Sequence, residues 1–215
     1  MSIQLPCGPL HHATLVVAEA APLIKAYALL GLAPAARGRV DEAQALSWHR
    51  PDLSGCAVTW LAAPGSAPLL RLIELPAAAA RPTRLSHGWM ALEVLVRDVD
   101  ALGDRLLDSP FEIVGPPADL AVSPAIRAMQ VVGPAGEMLY LTQVKQPVPP
   151  FDLPLSAELE PAQDVGPLFI GVMSVPDREA AIAVCAAMTP RATLRFDTRV
   201  TVLSRALDRP LDHPW

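Results

Sequence analysis

Apolar and polar residues alternate along this chain in a grammar that appears three times. Leu10–Leu32, "LHHATLVVAEAAPLIKAYALLGL", begins with a short strand whose residues point alternately to two faces. A small polar turn follows. Then comes a helix with Leu23, Tyr27 and Leu30 on one side and Gly31 placed to cap its C-terminus. Met90–Leu107, "MALEVLVRDVDALGDRLL", repeats the order, with Asp98 as N-cap and Val99, Leu102 and Leu106 on the buried stripe. Leu168–Met188, "LFIGVMSVPDREAAIAVCAAM", repeats it again. The strands end at Val17, Val96 and Val175, at a period of roughly 80 residues, and a repeat of that kind fixes the architecture of a chain.

Between the first two copies the pattern predicts a short helix over Glu42–Trp48, capped by Asp41. Strands over Ala57–Leu61 and Leu69–Leu75 are joined by the turn at Pro64–Gly65. After the second helix it predicts strands at Phe111–Val114, Ile126–Val132 and Glu137–Val144, the last two closing a hairpin across "GPAG". Residues 145–165 are proline-rich and without period, the composition of an extended linker. The third copy, residues 166–215, continues with a strand at Thr193–Asp197 and a short helix at Val200–Leu207, then stops two strands short of a module. Thr193–Asp197 or Leu168–Val175 is expected to pair with another sheet, in residues 1–144 or in a second chain, and a homodimer is the expected form.

Composition narrows the function classes. A net charge of −5 with no Lys/Arg run excludes a dedicated nucleic-acid surface. No apolar stretch reaches the length of a membrane span, and the first residues lack the basic segment and apolar run expected of a signal peptide. Three scattered cysteines, Cys7, Cys56 and Cys185, have no metal or redox spacing, so the expected compartment is the reducing cytoplasm. There is no G-x-S-x-G nucleophile motif, and "GPAGE" at Gly133–Glu137 joins strands instead of opening a phosphate-binding helix.

With "HHATLVV", "LLRLIEL", "ALEVLVRDVDAL" and "GEMLYLTQV" in this order, the chain resembles the vicinal-oxygen-chelate superfamily, which includes glyoxalase I, extradiol dioxygenases and bleomycin-resistance proteins. The resemblance implies an α+β fold. Paired βαβββ modules in residues 1–144 would form a curved mixed sheet around a concave pocket, with a third, incomplete module after the linker. It implies a small-molecule ligand, and in metal-using members a divalent metal held by the first and last strands of the modules. Carried over, the first-strand and last-strand positions of copy one are His12 and Glu74, and those of copy two are Ala91 and Tyr140. Alanine and tyrosine are not normal ligands for such a metal, so only two of four positions are filled. His12 and Glu74 are either a residual metal pair or a hydrogen-bonded pair lining a pocket. His87 is a third ligand or a loop residue, and His11 has the opposite parity and no role.

Glu93 shares parity with Trp89 and Ala91, on the face the resemblance makes concave. There it would be a general acid or base with a raised pKa, or an edge carboxylate in a salt bridge. Trp89 and Tyr140 would stack on or hydrogen-bond a ligand, or fill the pocket. Two function classes stay open. One is a lyase or dioxygenase with His12 and Glu74 as metal ligands and Glu93 as base. The other is a metal-free protein that sequesters an organic ligand.

Overall fold

The computed structural model describes residues 10–79, 86–121 and 123–188, with Ser204, Arg209, Pro210 and Asp212 beyond them. The expected strand at Thr193–Asp197 lies outside the described residues, as does nearly all of the expected helix at Val200–Leu207. The architecture is α+β, with two mixed sheets of four and five strands.

The first module runs β1 (Ala13–Val17), α1 (Ala21–Ala28), β2 (Ala33–Arg39), α2 (Glu42–Ser47), a 3-10 turn (Pro51–Leu53), β3 (Ala57–Ala62) and β4 (Leu70–Glu74). Its sheet order is β1-β4-β3-β2, with β1 and β4 parallel, Thr14 beside Arg71 and Val17 beside Glu74. Gly31 takes φ +77° after α1, the left-handed conformation its place at a helix end requires. The Asp41 carboxylate accepts from Gln44 N and so starts α2. The second module runs β5 (Gly88–Val96), α3 (Val99–Leu106), β6 (Glu112–Leu120), β7 (Ser123–Val132) and β8 (Met138–Val144). Asp98 Oδ1 accepts from both Asp100 N and Ala101 N, 3.0 Å each, at the start of α3. The order β6-β7-β8-β5 repeats that of the first sheet, with β5 and β8 parallel.

The third copy supplies β9 (Val165–Ser174) and α4 (Arg178–Met188). Instead of starting a sheet of its own, β9 lies antiparallel on the free edge of β5, with Glu93 beside Ile170 and Trp89 beside Met173. The pairing expected of this strand is thus made within the chain.

Residues 145–165, read from composition as a linker, form a strap across one face of the second sheet. The buried Ser156 hydroxyl donates to Val96 O (2.7 Å) and accepts from Val144 N (2.9 Å). Leu155 and Leu159 pack with Leu95 and Val144. Arg97 donates to the carbonyls of Leu159, Glu160 and Gln163, and the Gln163 amide reaches back to Pro64 O of the first module. The absence of period that marks this stretch reflects a backbone satisfied by individual side chains rather than by a ladder.

One core joins the modules. The helix-facing sides of both sheets meet in it, with Leu70 and Leu72 from the first and Val94, Val96, Leu139 and Leu141 from the second. Leu23, Tyr27 and Leu30 of α1 and Leu102 and Leu106 of α3 complete it. Each sheet therefore turns its other face away from the shared core. That of the first sheet is partly covered by α2, where Ala45 packs with Val58 and Ile73. That of the second carries Ala91 and Met138 at one end and Leu95 and Val144, under the strap, at the other.

Candidate functional site

Period two places Glu93 midway between Ala91 and Leu95 on the outer face of the second sheet. Its register partner is Tyr140 on β8, and the register partner of Tyr140 on β7 is Gln130. Three polar side chains thus form one row across β5, β8 and β7. Thr142, next along β8, donates from Oγ1 to Glu93 Oε1 at 2.8 Å. The Tyr140 hydroxyl and Gln130 Oε1 are buried, and neither has a hydrogen-bond partner among the described residues. Each is a polar atom that an apolar surrounding penalises until something binds it.

Electrostatics follow burial. Removal from water pushes the Glu93 carboxyl above its ordinary value, and the Thr142 hydroxyl offsets part of that. Burial also pushes the Tyr140 hydroxyl well up, with the Glu93 charge adding to the effect. Gln130 was not legible as a site residue. One polar residue in "AMQVV" carries no signal until the register sets it beside Tyr140. Gly115 lies opposite Gln130, and the amide of Gln130 takes up the space that a side chain at Gly115 would need.

The row adjoins a cleft. Ala91 and Met138, one step along the same strands, line a cavity of about 420 Å³ that also takes in His12, Thr14, Trp89 and Gly171. That size suits a small organic ligand. Trp89 is 66% exposed at its edge. Its ring lies on Gly171, where an added Cβ would come within 2.9 Å of Cζ3. Glu137 reaches the cleft from the far side. It is held between the modules, accepting from Tyr27 Oη at 2.6 Å and from Ala135 N at 2.9 Å, and burial raises its pKa.

The expected shared face for His12, Glu74, Trp89, Glu93 and Tyr140 is realised for part of the set. Glu93 and Tyr140 are neighbours, and His12 and Trp89 line one cleft. Glu74 is elsewhere. It shares parity with Leu70 and Leu72, which face the core, and its Oε1 accepts from Ala20 N (2.9 Å) at the start of α1. Ala20 has no side-chain acceptor of its own, so the neighbouring strand supplies the cap. His12 takes the other face, with Thr14, and meets Trp60 edge-on at 4.7 Å and 79°. His12 and Glu74 take opposite sides of the sheet, and this placement does not fit a shared divalent metal. Among the described residues no group of three or more His, Cys, Asp or Glu is placed to hold one. His87 Nδ1 stands 3.3 Å from Ser174 Oγ at the end of β9, and His11 is exposed.

No protein-family model matches the sequence, and no curated protein matches it. Solved structures do match the fold. A glyoxalase family protein from Bacillus cereus aligns with TM-score 0.50 and 18% identity over 65% of this chain and 96% of that one. Glyoxalase I from Zea mays aligns with TM-score 0.48 and 14% identity over 62% of this chain and 44% of that one. A bleomycin resistance determinant encoded on transposon Tn5 aligns with TM-score 0.40 and 15% identity, over 62% and 95%. The chain shares the fold of the glyoxalase family protein from Bacillus cereus.

Proposed function

We propose that this protein binds a small, largely apolar organic ligand in the cleft between its modules, without a metal. The cleft itself carries the reading. It is about 420 Å³, walled by Met138, Leu168 and Ala91, with an exposed indole at its edge. The polar groups of its lining, His12, Thr14 and Glu137, would orient a polar group of the ligand. The separation of His12 from Glu74 supports the metal-free form.

Binding of 2-naphthol, a neutral aromatic alcohol, to the full chain by equilibrium dialysis tests this. We expect saturable binding, weakened about tenfold or more, ~1.4 kcal/mol, by Trp89→Ala and by Gly171→Leu. Equal binding by both variants would discard the cleft as the site.

A second reading has one observation of its own. Glu93, with its raised pKa beside the orphaned groups, is suited to move a proton in lyase or dioxygenase chemistry. Near one equivalent of zinc, iron or manganese in purified protein, lost on His12→Ala, would favour it over sequestration.

We also propose a homodimer. The helix α4, "REAAIAVCAAM", is apolar, yet none of its described side chains is buried. Met173 and Trp89 are exposed beside each other where β9 meets β5. Both are surfaces that a second copy would cover. No helix of the described residues is long and apolar enough to cross a membrane.

A further inference from the structure

The outer face of the first sheet holds an arginine that the reading above does not use. Arg71 stands beside Thr14 in register, and its Nε donates to Thr14 Oγ1 at 2.9 Å. Two indoles lie against its guanidinium, with Cζ 4.4 Å from the Trp48 ring centroid and 5.0 Å from that of Trp60. His12 packs edge-on against the same Trp60. Arg50, Arg105 and Arg127 are each paired to a carboxylate. Arg71 has no acidic partner among the described residues, and burial is what disfavours its charged form. A half-buried cation held this way, in a chain of net charge −5, is costly unless something else meets its charge.

The geometry points to a carboxylate site at Arg71, in which the free Nη1 and Nη2 edge of the guanidinium grips a small organic acid bidentately. Thr14 uses Nε, and the indoles occupy the ring-stacking positions. The donors left over are the coplanar pair at the fork, which matches the two oxygens of a carboxylate. Trp48 and Trp60 offer apolar walls for the acid's hydrocarbon part. His12, whose protonation is disfavoured by burial and by Arg71, stands alongside as a neutral hydrogen-bonding ring. The fixed positive charge beside His12 would also repel a metal cation and attract an anion. This site borders the cleft through His12 and Thr14, which line it, while Arg71, Trp48 and Trp60 do not.

Hexanoate, with hexanol and inorganic phosphate as comparisons, tests the proposal on the full chain. The readout is the shift of the Trp48 and Trp60 indole N–H and Arg71 Nε–H resonances in ¹H–¹⁵N spectra, with the Trp89 indole as a reporter of the cleft. We expect hexanoate to move the first three saturably at millimolar concentration and to leave Trp89 in place. Arg71→Met should weaken the effect at least tenfold, and Arg71→Lys, which keeps the charge but not the fork, several-fold. If Arg71→Met does not fold, as judged from its Trp89 resonance, the lysine variant alone decides. Hexanol acting as strongly as hexanoate, phosphate binding in its place, full-strength binding by Arg71→Lys, or no saturable shift would each overturn the assignment.

Discussion

At the scale of single residues, parity along a strand decides which face of a sheet a side chain takes. Glu93 fell on the outer face of its sheet because it follows Ala91 by two positions. Glu74 fell on the core side because it is three residues from Arg71, not two or four. The raised pKa of Glu93 has a testable sign. A carboxyl whose folded value lies above its ordinary 4.5 contributes stability that is fully present below that pH and is lost as pH rises through the folded value. Glu93→Gln removes this loss. Thermal melts of the two proteins at pH 4.5, 6 and 7.5 should therefore show the variant gaining on the wild type as pH rises through the folded value of Glu93 and a constant difference above it. Parallel curves would mean that Glu93 is not shielded from water as the structure has it.

At the scale of elements, the helices obeyed local rules and the strap did not announce itself. Asp41 and Asp98 cap their helices as their positions in the sequence suggest, since a cap is a contact between residues two or three apart. Residues 145–165 hold together through contacts some sixty residues away, such as that from Ser156 to Val96. Ser156 is the joint of this element, donating to one buried carbonyl and accepting from one buried N–H. Ser156→Ala leaves both unsatisfied and should cost about 1–3 kcal/mol. Urea unfolding would show it as a lower midpoint with an unchanged slope. A shift under about 0.5 kcal/mol would mean that water replaces the hydroxyl at no loss.

For the whole molecule, the third copy is the structural question. Its first strand completes the second sheet, and the strap before it covers Leu95 and Val144. Deleting residues 146–215 would bare both the β5 edge and that apolar surface. We expect the shortened chain to aggregate, visible as polydisperse light scattering, while the full chain scatters as a discrete dimer. A shortened chain that stays monodisperse and melts with the full one would show that β9 and the strap add nothing to the two-module fold.

The sequence by itself determined what depends on neighbours in the chain: the three strand–helix units, the caps, the hairpin at Gly133–Gly136, and the parity that sets Glu93 and Tyr140 on faces of their strands. Those features are governed by periods of 2 and 3.6 residues, which can be counted. Tertiary structure alone decided the rest. Gln130 joined Glu93 and Tyr140 only through the register of β7 on β8, and Arg71 met Trp48 only through the fold of α2 over the first sheet. Which edge β9 would take, and that Glu74 would cap a helix, depended on which surfaces the modules buried together. No period along the chain encodes such a choice, because burial is settled between segments far apart in sequence.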